Sequence, residues 1–299
     1  MRIVAPGVRA IVVDRGRFGH LRDGVPPSGP ADPFAFAAAQ VLAGNDPGAD
    51  AALEIVGSPF AFACTDRRLV AVAGRDVRLR GRDPLPGWTT VFARAGDELT
   101  VVMGERSRFA YLAVSGGIAT PAVLGSRASY LPAGIGRALR AGDELPLGEA
   151  RVDPSHAGRR IRELEYQDEE VRTITGPHAG RFTEEARNAF FSSTFVVAPQ
   201  SDRMATRLEG QPVASDAREI LTCGVVAGAV QIPRGGSPIV LLADHQTTGG
   251  YPVIATVIAA DLGRLAQRLP GERLRFTRVE RDRALAALRE SRDSLVPSA

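Results

Sequence analysis

Asp244, His245, Gln246, Thr247 and Thr248 follow directly on the apolar run PIVLLA (238–243) and lead into Gly249-Gly250, Tyr251 and Pro252. Reversing a chain takes one or two polar side chains and a glycine. Five in a row exceed that need and point to a ligand. On a strand, Asp244 and His245 would face opposite ways, whereas on a loop both can face one molecule. Gln246, Thr247 and Thr248 supply neutral donors and acceptors suited to an amide or urea-like group. The glycine pair lets backbone N–H groups come close, and Tyr251 offers a stacking face with a hydroxyl tip. The plainer reading is an elaborate β-turn.

Two further stretches carry more polarity than architecture demands. GVPPSGPAD (24–32) is a rigid turn that delivers Ser28 and Asp32 to the start of a helix, where free N–H groups attract anions. Alternatively, Asp32 simply caps that helix and Ser28 serves a turn. SDRMATRLEG (201–210) sets Arg203 and Arg207 four residues apart, and arginine forks recognise carboxylates and phosphates. A surface cluster that pairs with itself is the alternative.

Composition removes several chemistries. All 37 basic residues are arginine, so a Schiff-base lysine, a P-loop lysine and a biotinyl-lysine cannot form on this chain. His20, His156, His178 and His245 lack any ligand spacing, and there is no H-E-x-x-H, so no metal site is expected. A net charge of +3 with 6% aromatic residues argues against nucleic acid. Cys64 and Cys223 stand alone and read as buried thiols. The opening MRIVAPGVRAIVVDRG shows no apolar leader, and no window is long and apolar enough to span a bilayer, so a cytoplasmic location is expected.

The elements that must position these loops are mostly strands. VRAIVVD, FAFAC, LVAVAG, VRLRG, LTVVM and FAYLAVSG arrive at close spacing between Gly, Pro and Asp, which argues for sheets joined by tight turns. RAGDEL occurs at 94–99 and again at 140–145, with an echo in PGERLRF (270–276). Each sets Gly and an acid before an apolar residue, as a turn into a strand does. Short helices are expected at 32–43, capped by Asp32 with Pro33 at its first position, at 183–190 behind Thr183, and at 261–269. A surface helix is expected at 281–291. The Arg/Glu-rich stretch 151–170 reads as a linker, dividing the chain into domains 1–158 and 159–299.

GVPPSGPAD, YLAVSGGI with VLGSRASY, GPH, SDRM with RLEG, GAVQIPRGGSPIVLLADHQTTGGYP and DLGRLAQRLPG occur in that order over nearly the whole chain. Together they resemble the KipA family, also called allophanate hydrolase subunit 2 or the biotin-dependent carboxyltransferase subunit family. The resemblance implies a mainly β fold with short helices, built as two cyclophilin-like β-barrel domains. It implies the C component of an ATP-dependent 5-oxoprolinase, which takes 5-oxoproline, ATP and water to glutamate, ADP and phosphate. Partners would be a KipI-like B component and the A component of 5-oxoprolinase, with ATP bound together with a partner. Two other readings remain open. One is a carboxyltransferase subunit for urea or another small amide, with biotin carried by a partner. The other is a non-catalytic KipA-like regulator of a KipI-like inhibitor. Ala31, Gln40 and Ala205 depart from residues common in that family. On the first reading Asp244 orients or deprotonates the amide N–H and His178 shuttles protons, since histidine titrates near neutrality. Gln246, Thr247, Thr248, Tyr251, Arg203, Ser28 and Asp32 would hold the substrate.

Overall fold

The structure, a computed structural model, describes residues 1–150, 152–215 and 220–298. The chain forms two compact units, and no single cut separates them. Unit 1 comprises Met1–Arg17, Ser28–Leu164 and Asp293–Ala299, and unit 2 comprises Phe18–Pro27 and Glu165–Arg292.

Unit 1 holds β1 (Arg2–Pro6), β2 (Arg9–Val13), α1 (Pro33–Leu42), β3 (Ala52–Val56), β4 (Phe60–Ala63), β5 (Arg68–Gly74), β6 (Val77–Arg80), β7 (Pro84–Pro86), β8 (Val91–Ala93), β9 (Glu98–Met103) and β10 (Ala110–Val114). They pair as two five-stranded sheets, β1-β4-β9-β6-β7 and β2-β3-β10-β5-β8. Ile3, Phe60, Phe62 and Val101 of the first sheet meet Val12, Leu53, Val72 and Leu112 of the second in one core. Burying each such side chain stabilises the unit by about 1.5–3 kcal/mol. Every residue of β5 is buried, because α1 packs on β5 and β10 and covers the sheet's second face. A strand covered on both faces reads as a continuous apolar run, and LVAVAG does. Helix α1 begins as expected, with Asp32 Oδ1 accepting from the Ala35 N–H at 3.1 Å and Pro33 at the first position.

Unit 2 holds β11 (Glu170–Thr175), α2 (Glu184–Ser192), β12 (Phe195–Val197), β13 (Ala205–Glu209), β14 (Cys223–Gly224), β15 (Ala229–Gln231), β16 (Ile239–Leu241), β17 (Thr248–Gly249), β18 (Val253–Val257), α3 (Leu262–Ala266), β19 (Arg273–Arg278) and α4 (Arg281–Asp293). Seven strands close into a barrel in the order β11-β18-β15-β16-β13-β12-β19, and the parallel pair β11–β19 shuts it. Thr183 caps α2, whose Phe190 stacks on Phe276 of β19 at 4.7 Å. Helix α3 is shorter than the 261–269 expected: it starts at Leu262, directly after a 3-10 turn at Ala259–Asp261, and ends at Ala266, so the last three residues leave the helix before Pro270-Gly271.

The three Gly-acid turns share one geometry. The Arg94 N–H donates to Asp97 Oδ2 at 2.8 Å, the Arg140 N–H to Asp143 Oδ2 at 2.7 Å and the Leu269 N–H to Glu272 Oε2 at 2.9 Å. The glycine before each acid has φ between 87° and 89°, a left-handed conformation that glycine adopts without steric cost. Two of these turns lie in unit 1 and one in unit 2, so the device belongs to the chain's strand-joining repertoire and not to one site.

Candidate functional site

The polar loop at 244–251 is placed by its strand. β16 runs antiparallel to β13 with Leu241 opposite Ala205. That register carries the residues after β16 back alongside those before β13. The Leu242 N–H donates to the Met204 carbonyl at 2.9 Å, and the Asp244 N–H to the Arg203 carbonyl at 3.0 Å. Arg203 and Asp244, 41 residues apart, therefore meet. Arg203 Nε donates to Asp244 Oδ2 at 2.8 Å and Nη2 to Oδ1 at 3.1 Å, and both side chains are buried. Such a two-pronged pair is directional as well as strong. Both carboxylate oxygens of Asp244 are engaged by the guanidinium.

Beyond the pair, the His245 N–H turns back to the Leu242 carbonyl at 3.1 Å. Buried His245 contacts the Gln246 carbonyl through Nδ1 at 2.6 Å. A carbonyl only accepts, so Nδ1 carries the proton. Thr248 and Gly249 then pair with Gly224 and Cys223 as the two-stranded ladder β14–β17. The Val225 N–H donates to the Thr247 carbonyl and the Ile220 N–H to the Gly250 carbonyl, each at 3.2 Å. Thr248 and Tyr251 are exposed, while Gln246 and Thr247 are half-buried.

His178 joins the far end of this loop. Its Nδ1 accepts from the Val253 N–H at 3.2 Å, and its own backbone N–H donates to the Val253 carbonyl at 3.1 Å. Val253 also sits opposite Gln231 on β15. In unit 2, SDRM meets DHQTTGGYP past the Leu241–Ala205 pair, GPH meets Val253 at the start of β18 opposite Gln231, and Gln246 reaches across to Gln231. Arg207, further along β13, is exposed and stands outside this cluster. Ser28 and Asp32 belong to unit 1. Asp32 is fully buried and its carboxylate caps α1, while its N–H donates to the Tyr111 hydroxyl at 2.7 Å. Ser28 is buried in a left-handed conformation with φ of 56°, and among the described residues its Oγ has no hydrogen-bond partner. Gln40, one of the departures noted above, is fully buried and bridges the Asp50 carbonyl and the Asn45 side chain, each at 2.7 Å. Its task is internal to unit 1. Among the described residues, no group of three His, Cys, Asp or Glu side chains could hold a metal ion.

Residues 23–278 match the family described as carboxyltransferase domain, subdomain A and B. The chain belongs to this carboxyltransferase family. Its relatives include the C subunit of 5-oxoprolinase from Escherichia coli K12, 36% identical over 293 residues that cover 96% of this chain and 94% of that protein. The C subunit of 5-oxoprolinase from Haemophilus influenzae is 32% identical over 95% of this chain and 92% of its own length. Among solved structures, the K. lactis urea amidolyase matches with a TM-score of 0.88 at 27% identity, over 98% of this chain and 19% of that one.

The cluster in this carboxyltransferase-family chain contains one residue that its sequence pattern did not single out. Gln231 is 1% exposed, its Oε1 accepts from Gln246 Nε2 at 3.3 Å, and its Nε2 has no partner among the described residues. A signal was present: a glutamine inside the otherwise apolar GAVQIP is a polar group placed on a buried strand.

Proposed function

We propose that this chain is the C-type subunit of an ATP-dependent 5-oxoprolinase, opening the lactam of 5-oxoproline to glutamate with ATP, water and partner subunits. One combined observation carries the reading. A loop of neutral donors and acceptors hangs from a buried Arg203–Asp244 pair, in a chain whose relatives at 36% and 32% identity over nearly full length are named as 5-oxoprolinase C subunits. A lactam carbonyl is a poor electrophile, and phosphorylating its oxygen supplies a leaving group before water attacks. The protein's part is to hold the ring and place donors where charge develops. In this reading Gln246, Thr247 and Thr248 face the amide, Tyr251 flanks the ring, and His178 keeps its Nε2 for proton transfer because Nδ1 is held by the Val253 N–H. Arg203 and Asp244 set the loop's shape, and by holding it Asp244 orients the groups that meet the amide N–H.

ATP would be held together with a KipI-like B subunit, since this chain has neither a P-loop nor a lysine. An A subunit completes the assembly, which we place in the cytoplasm. Among the described residues no helix is long and apolar enough to cross a membrane.

A second reading follows from the match to the K. lactis urea amidolyase over 98% of this chain. It makes the chain a carboxyltransferase subunit for urea or another small amide. The absence of lysine then requires biotin to arrive on a partner's carrier domain.

Co-expression with the KipI-like partner and the A partner, followed by assay of ATP- and 5-oxoproline-dependent glutamate release, separates these readings. Release that disappears when this chain is omitted supports the first. Carboxylation dependent on biotin and urea, without glutamate release, supports the second. Tight binding to the KipI-like partner with neither activity would instead make the chain a regulator.

A further inference from the structure

Gln231 and Gln246 form an amide pair with a specific deficit. One hydrogen bond joins them, from Gln246 Nε2 to Gln231 Oε1. A primary amide carries two donors and one carbonyl acceptor. The bond therefore leaves the Gln231 NH2 and the Gln246 carbonyl unused, one complementary group on each side chain. Reversing both amides exchanges the two roles and leaves the Gln246 NH2 and the Gln231 carbonyl unused instead. Gln231 is 1% exposed and its Nε2 has no partner among the described residues.

The surroundings hold this deficit in place. A Cβ at Gly249 would lie 2.5 Å from Gln231 Nε2, nearer than non-bonded atoms come. A side chain at position 249 would push the Gln231 amide out of its present place. Gly249 is also half of the two-residue strand β17, whose pairing with Cys223 and Gly224 is all of its ladder. The backbone beside the Gln231 amide nitrogen is thus a strip without a side chain.

We infer that Gln231 and Gln246 together read a cis amide, the form that a small lactam ring presents. In a lactam the N–H and C=O lie on the same edge, whereas in an open-chain secondary amide they point opposite ways. The lactam oxygen accepts from Gln231 Nε2, and the lactam N–H donates to Gln246 Oε1. With the existing Gln246–Gln231 bond this closes a ring of three N–H to O=C hydrogen bonds, which takes up the Gln246 carbonyl and one N–H of each glutamine. The inference rests on the proposed function for its choice of 5-oxoproline, but its chemistry requires only a ring amide. Gln231 and Gln246 are substrate-reading residues and bear on affinity more than on turnover.

The test uses the chain assembled with its partners and three ring probes. They are 2-pyrrolidinone, 5-oxoproline, and the lactone counterpart of 5-oxoproline, which keeps the carbonyl and lacks the N–H. The side-chain amide resonances of Gln231 and Gln246 should shift on adding either lactam. The lactone should bind weaker by on the order of tenfold to a hundredfold, because Gln246 Oε1 is then left unpaired. Gln231→Glu and Gln246→Glu should each raise KM for 5-oxoproline by a similar factor with kcat changed far less. Gln246 is half-buried, so its variant keeps the test valid if Gln231→Glu fails to fold. Amide resonances that stay still at saturating lactam, or unchanged KM in Gln246→Glu, would overturn the inference while leaving 5-oxoprolinase activity intact. Shifts with 2-pyrrolidinone in an assembly that never opens 5-oxoproline would uphold the lactam reader and remove the proposed function.

Discussion

Two buried arginines, Arg17 in unit 1 and Arg203 in unit 2, solve the same electrostatic problem in different ways. Arg17 is 1% exposed, and its guanidinium donates to the carbonyls of Val123, Ser126 and Ala128 at 2.9, 3.4 and 2.8 Å. Burial pushes its pKa down, and the Asp14 charge opposes that only in part. Asp14 spends its own oxygens on the Gly16 N–H, the Ser126 hydroxyl and the Arg127 N–H. The carbonyls and N–H groups of the GSRAS loop are thereby taken up by charged side chains. Arg203 does the opposite: it pairs with Asp244, and the DHQTTGG loop satisfies its backbone through the β14–β17 ladder. In unit 1 the charges hold the backbone itself. In unit 2 they cancel one another beside a loop of neutral amides and hydroxyls. In the proposed site recognition falls to those uncharged groups, and ionic groups build the frame.

The largest effect should come from breaking the frame of unit 2. Asp244→Asn leaves a buried guanidinium without its countercharge and should destabilise unit 2 by ~3–5 kcal/mol, read by urea unfolding. The Arg203→Met, Asp244→Leu double variant should recover much of that loss, because a packed apolar pair avoids the desolvation of both charges. A double variant no more stable than Asp244→Asn would mean that the two arginines do not differ as argued. The double variant should nonetheless lose activity in the assembled enzyme, since the loop no longer holds its shape.

Arg17→Met should cost less, ~1–3 kcal/mol, because three carbonyls lose a donor while the expense of burying the charge also disappears. The loss should appear in unit 1 hydrogen exchange around residues 123–128, with ligand binding at the unit 2 loop unchanged. Loss at both places would erase the contrast.

A smaller difference concerns the two thiols. Burial, with Asp97 adding to it, pushes the Cys64 thiol up to about 11, so near neutral pH its thiolate is scarce and enclosed. Cys223, half-buried on β14, should label first with a maleimide in the native protein, and Cys64 only on unfolding. Equal native labelling would contradict the enclosure of the unit 1 core.

The smallest effect is expected at the Arg137–Asp143 pair. The Arg137 guanidinium and the Arg140 N–H hold the Asp143 carboxyl down at about 2. A depressed folded-state pKa stabilises above the unfolded value, so this contribution is present above pH ~4 and is lost as pH falls from there toward the folded value. Arg137→Met should flatten acid unfolding in that window slightly, because Arg137 is largely exposed and its pairing is screened.

Much of the framework was legible along the chain. Asp32 with Pro33, Thr183 with Glu184 and the three Gly-acid turns act within a few residues of themselves, and all formed where they were read. The apolar run LVAVAG was read as a strand, and it forms β5. Gln231 was not legible as a recognition group, because its meaning lies in a partner amide 15 residues away and in the glycine beside it. The exchange of Phe18–Pro27 and Asp293–Ala299 between the units was equally hidden, since each segment's composition is ordinary.

The sequence by itself determined what depends on short-range chemistry: the caps, the turns, the strand-rich class, the family, and the exclusion of lysine chemistry. Tertiary structure alone decided which polar groups meet. A strand register of Leu241 against Ala205 brought Asp244 to Arg203, and barrel closure brought His178 and Gln231 to either side of Val253. Pairing across a sheet is a long-range choice made by the whole core. No local pattern in the chain encodes which two distant side chains it will set within hydrogen-bonding distance.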